Sequence, residues 1–131
     1  MCIGILGLLY IRNGARRKMT IKTKAKGYRA ELKVKKALED LGLFVIRHSA
    51  SRFPDLIALN PAGETWLVEC KVKKLPKKTP QPSYFLSKKE LKAFETFKDF
   101  KNVKCLVAVP FRKDILLYDL FAKSKKFVWV K

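Results

Sequence analysis

Apolar residues first recur at helical spacing at Ala30, Val34, Ala37, Leu38 and Leu41, while Lys33, Lys36, Glu39 and Asp40 fall elsewhere around the turn. That period predicts a helix over residues 27–41 with one buried face, stopped by Gly42. The pattern then changes. Residues 43–47 are an apolar, β-branched run, Ser49, Ala50, Ser51 and Arg52 break it, and residues 55–59 read as a second strand before the turn Asn60, Pro61, Ala62 and Gly63. Residues 65–73 alternate, so that Trp66, Val68, Cys70 and Val72 share one face and Leu67, Glu69, Lys71 and Lys73 the other. Pro76, Pro80 and Pro82 predict an extended loop over residues 75–85. Ser87 and Glu90 then fit a capping box, opening a helix whose buried side is Leu91, Phe94, Phe97 and Phe100. Residues 103–109, 115–118 and 127–130 read as strands. Helix, three strands, helix and two or three strands, with no repeat and no internal break, predict one mixed α/β sheet flanked by helices.

Composition sharpens this picture. A chain of 131 residues with 48% apolar and 11% aromatic residues has the material for one real core, which excludes a disordered polycation despite 31% charged residues. Thirty Lys and Arg against eleven Asp and Glu leave +19, so a polyanion is the expected partner: nucleic acid first, an anionic membrane second. Cysteines at 2, 70 and 105 have neither disulfide nor zinc spacing, which predicts a reducing compartment, the cytoplasm. The apolar run over residues 1–11 is too short to span a bilayer, and its basic residues Arg12, Arg16, Arg17 and Lys18 follow it, the reverse of a signal peptide. No stable membrane association is expected. Residues 1–18 stand apart as an N-terminal extension, open between an upstream start, a packing segment and a membrane-touching arm; residues 19–131 form the single domain.

Acids are scarce on this chain, and their placement is the chemical signal. Asp55 opens a strand after Pro54, and fourteen residues later Glu69 and Lys71 stand two apart on the next one. The intervening turn lets the strands run antiparallel, so Asp55 reaches Glu69. Two adjacent carboxylates repel unless a cation lies between them, which suggests a hard divalent ion, Mg2+ or Mn2+, with the Cys70 carbonyl as a further oxygen. Lys71 is placed to orient an attacking water or balance charge developing on a phosphate. Glu31, at the edge of the apolar arc beside Val34 and Leu38, faces partly inward, where a metal-bound water or Lys71 would satisfy it.

Pro54-Asp55 followed by Glu69-Cys70-Lys71 resembles the PD-(D/E)xK nuclease superfamily. Lys26-Gly27-Tyr28-Arg29-Ala30-Glu31, Val45-Ile46-Arg47, Ser51 three residues ahead of Pro54, and Val68-Glu69-Cys70-Lys71-Val72 together resemble the archaeal Holliday junction resolvases and their viral relatives. The likeness runs from about residue 26 to residue 111. It implies a restriction-endonuclease-like core and a symmetric homodimer that nicks four-way DNA junctions in pairs. Glu31, Asp55 and Glu69 would be the metal-site acids, Lys71 the catalytic lysine and Ser51 a further catalytic-site residue, on a loop, that contacts substrate or supports the reacting phosphate. Lys26, Arg29, Arg47 and Arg52 would contact DNA. Leu32 stands where the family often has Arg.

Bland roles suit other residues better. His48, the one histidine, fits a hydrogen-bonded structural group, Cys70 a small buried hydrophobe, and Trp66, Phe94 and Phe97 core positions. Lys73, Lys74, Lys77 and Lys78 follow the candidate strand on a loop long enough to reach a duplex arm, and read as backbone contacts. Tyr84 and Phe85 are candidates for joining two subunits. Two other readings stay open: a different PD-(D/E)xK endonuclease of repair or restriction type, and a non-enzymatic nucleic-acid-binding protein, which the charge alone would support.

Overall fold

A computed structural model describes residues 4–5, 8–12, 23–48, 53–74 and 81–122, with side chains from residue 27 onward. Its elements are β1 (Gly4–Ile5), β2 (Leu8–Arg12), α1 (Thr23–Asp40), β3 (Phe44–Arg47), β4 (Leu56–Leu59), β5 (Thr65–Cys70), α2 (Pro82–Phe85), α3 (Lys88–Glu95), β6 (Val103–Phe111) and β7 (Asp114–Asp119). The strands form one sheet in the order β1-β2-β7-β6-β5-β4-β3. Among the described strands only β5 and β6 pair in parallel. A parallel pair needs a crossover, and α2 and α3 supply it.

The sheet divides the core into two layers. Val34, Ala37 and Leu38 of α1 pack on Leu56, Ala58, Trp66, Val68, Leu106 and Ala108. On the other face Phe85, Leu86 and Phe94 pack on Leu67, Val107, Val109, Leu116 and Tyr118. The expected mixed sheet between helices is therefore present. Helix α1 ends as its sequence requires: Gly42 takes φ 94°, and the Leu43 amide returns to the Leu38 carbonyl at 3.2 Å. The β4–β5 turn closes through Asn60 and Glu64, with Gly63 at φ 93°.

Several expectations are corrected. Strand β5 stops at Cys70, and its second face is covered: Leu67 and Glu69 are as buried as Trp66 and Val68, because α2 and α3 cross over it. Residues 82–85 are a helical turn, since Pro82 sits in the first turn of α2, where a missing N–H costs nothing. Phe85 is buried against Tyr118, with ring centroids 5.5 Å apart, which removes it as a subunit contact. Helix α3 ends before Phe100, which is 54% exposed and meets the Phe97 ring edge-on. The apolar N-terminal run supplies β1 and β2, the latter antiparallel to β7. The strand expected at residues 127–130 lies outside the described residues. Among the described residues no helix is long and apolar enough to cross a membrane.

Candidate active site

Register brings Asp55 to Glu69. Strand β4 pairs Leu56 with Val68, so the next position outward sets Asp55 opposite Glu69, on the sheet face that carries Leu67 and lies under α3. At this point side chains replace the backbone ladder. The Asp55 amide donates to Glu69 Oε1 at 2.9 Å, and the Cys70 amide donates to Asp55 Oδ2 at 2.9 Å. Each carboxylate spends one oxygen on the other strand's backbone and keeps one outside the exchange.

This juxtaposition perturbs both acids. Burial pushes the Glu69 carboxyl up to about 8, and the Asp55 charge adds to the rise. Asp55 is also raised, by burial first, against the Cys70 amide that favours its ionised form; the charge of Glu31 raises it further. Cys70 packs partly buried against the α1 layer, and burial and the Asp55 charge push its thiol upward. It fits the expected small hydrophobe.

Lys71 follows Glu69 on the same face, and its amide is held by the Ala108 carbonyl at 2.9 Å. Its ammonium donates to Glu90 Oε2 at 2.6 Å. Glu90, legible in the sequence only as the capping residue of α3, thus also faces the site. Burial pushes the Glu90 carboxyl up, but hydrogen bonds from Lys71 and Ser87 outweigh it and hold the group below the usual range.

Glu31 has a different partner from those expected. Arg47 Nε donates to Glu31 Oε1 at 2.9 Å, and the same guanidinium lies 4.6 Å from the centroid of the Tyr28 ring. The pair joins α1 to the edge strand β3, while the Glu31 charge still reaches Asp55 and Cys70. Among the described residues no group of three or more His, Cys, Asp or Glu side chains is arranged to hold a metal ion.

The remaining candidates scatter. His48 is structural in its contacts: its amide donates to the Asp55 carbonyl at 3.0 Å, and its Nδ1 lies 3.0 Å from the Pro54 carbonyl. Arg29 and Leu32 are exposed on α1. Lys73 and Lys74 are exposed past β5, the Lys73 ammonium 4.4 Å from the Tyr84 ring centroid and bonded to the Tyr84 carbonyl, with the Tyr84 hydroxyl donating to the Lys74 carbonyl. Ser51, Arg52, Lys77 and Lys78 lie outside the described residues, as does the Lys26 side chain.

The archaeal Holliday junction resolvase (Hjc) family model matches residues 22–127. Among solved structures, Archaeoglobus fulgidus Hjc, a Holliday junction resolvase from an archaeal hyperthermophile, is 22% identical, with a TM-score of 0.49 over 71% of this chain and 84% of that one. A VRR_NUC domain is 30% identical, with a TM-score of 0.42 over 62% of this chain and 82% of that one. No curated protein matches. The family match spans everything from the start of α1 past the end of β7 and includes Asp55, Glu69 and Lys71, so the chain belongs to the archaeal Holliday junction resolvase family and has its restriction-endonuclease-like fold.

Proposed function

We propose that this chain is a structure-selective endonuclease that cuts four-way DNA junctions by divalent-metal-dependent phosphodiester hydrolysis, acting as a symmetric homodimer. Family membership supports the substrate class. One observation carries the chemistry: on a chain of net charge +19, Asp55 and Glu69 are joined by reciprocal bonds with Lys71 beside them.

The donor set fits a hard divalent cation. It consists of carboxylate oxygens, one on each acid outside the backbone exchange; burial raises both groups, and the Asp55 charge raises Glu69 and the Glu31 charge Asp55, which a bound cation relieves. Asp55 and Glu69 would hold Mg2+ or Mn2+, with Glu31 as a third, outer acid that Arg47 partly neutralises. Such an ion supplies Lewis-acid polarisation of the phosphate and a lowered pKa for the attacking water. Lys71 places an ammonium on the face that carries both acids, where it orients that water or balances the charge growing on the phosphate. Arg29, Arg47, Lys73 and Lys74, with Lys26, Ser51, Arg52, Lys77 and Lys78, contact the backbones of the junction arms and read shape rather than sequence. One chain has one such site, and resolution takes two cuts related by a twofold axis, which is why the working unit is a dimer.

Asp55→Ala and Glu69→Ala are each expected to abolish cleavage of a synthetic four-way junction in magnesium while a gel shift still reports binding. Cleavage at the full rate by Asp55→Ala would overturn the proposal. The substrate class is read from the rates on a junction, a flap and a plain duplex: preference for the junction is expected, and equal rates would point to a general endonuclease.

A further inference from the structure

We infer that Glu90 is a positioning residue of the active site, holding the Lys71 ammonium in place from the first turn of α3. This rests on the reading of Lys71 as a catalytic group. Lysine carries its charge on a flexible four-carbon stem, so an ammonium at the end of a strand needs a fixed partner before its direction means anything. Glu90 is such a partner because it is itself fixed. Its Oε1 accepts from the Ser87 amide at 2.9 Å, its own amide donates to Ser87 Oγ at 3.2 Å, and its Oε2 receives Lys71 at 2.6 Å. One carboxylate thus closes the capping box with one oxygen and aims the lysine with the other.

The helix that carries Glu90 is anchored on the site's other arm. Phe94, one turn further along and fully buried, takes the Phe53 ring edge-on with centroids 4.7 Å apart. Phe53 lies two residues before Asp55. Helix α3 therefore touches the Pro54-Asp55 segment through Phe94 and Lys71 through Glu90, setting the spacing between acid and ammonium. The Glu90 charge is felt at both Asp55 and Glu69, as expected of a group bordering the site.

The deciding variant is Glu90→Gln, because glutamine also closes a capping box and so keeps the helix start while removing the charge that holds Lys71. Its single-turnover cleavage rate on a four-way junction should fall about 10–100-fold, with junction Kd and Tm close to wild type. Ser87→Ala should do the opposite: it loses the hydroxyl cap and a few degrees of Tm but keeps the backbone amide that fixes Glu90, so its rate stays near wild type. Wild-type cleavage by Glu90→Gln, or equal rate losses in both variants, would overturn the inference. A second readout is independent of activity. The side-chain ammonium resonance of Lys71, observed by NMR in 15N-lysine-labelled protein, should be sharp in wild type and Ser87→Ala and lost by exchange in Glu90→Gln. If wild type does not cut junctions, the proposed function fails while this resonance still decides whether Glu90 fixes Lys71; an unchanged resonance in Glu90→Gln counts against it.

Discussion

Glu69 is an acid held by burial near the middle of the pH scale, and this has a measurable sign. Its carboxyl is raised from an ordinary 4.5 to about 8, so the folded state holds the proton more tightly than the unfolded chain. Stability from this group is complete below pH 4.5 and is lost as pH rises through about 8, at roughly 1.4 kcal/mol per pH unit between the two values. Asp55, also raised, contributes in the same direction. In metal-free protein the Tm of wild type should therefore fall over this interval more steeply than that of Glu69→Gln, measured by thermal melts; parallel curves would contradict the assignment. Magnesium should raise Tm more at the alkaline end than the acid end, because it binds only deprotonated carboxylates. At this scale Asp55, Glu69 and Lys71 were readable in advance, since strand alternation and antiparallel register are arithmetic. Glu90 was not, because Ser87-x-x-Glu90 already has a complete local explanation and its bond to Lys71 spans nineteen residues. The Arg47 partner of Glu31 is hidden for the same reason: it depends on where β3 lies beside α1.

Among the elements, α3 joins core and site, through Phe94 against Phe53 and Glu90 against Lys71. Phe94→Ala removes a fully buried ring and its contact with Phe53, so a loss of about 3–5 kcal/mol is expected in denaturant unfolding. A loss below about 0.5 kcal/mol, within the scatter of surface substitutions, would contradict the packing described. Helix α1, the strands from β3 to β7 and the start of α3 follow from periodicity, glycine stops and one capping box. The misreadings have physical causes. Three prolines over residues 76–82 argue for extended chain, yet Pro82 starts a helical turn as readily as it breaks one. Alternation over residues 65–73 gives β5 two faces without saying what covers the second; α1 lies on one and the crossover through α2 and α3 on the other. The apolar run at the N-terminus carries no period that names its partner; only pairing with β7 does.

For the whole molecule, the net charge of +19 and the paired acids have separate consequences. Charge governs binding: a chain neutralising roughly 6–10 phosphates loses about 10³–10⁵ in junction affinity between 50 and 200 mM salt, so gel-shift Kd should climb steeply over that range, and a flat profile would show that phosphate contacts do not dominate. In the proposed function the acids carry the cutting. The most direct test of that claim is cleavage of a synthetic four-way junction by the intact chain, with magnesium and with EDTA. Paired nicks on opposing strands in magnesium and intact DNA in EDTA are predicted; equal cutting in both, or no cutting in either, would contradict the account.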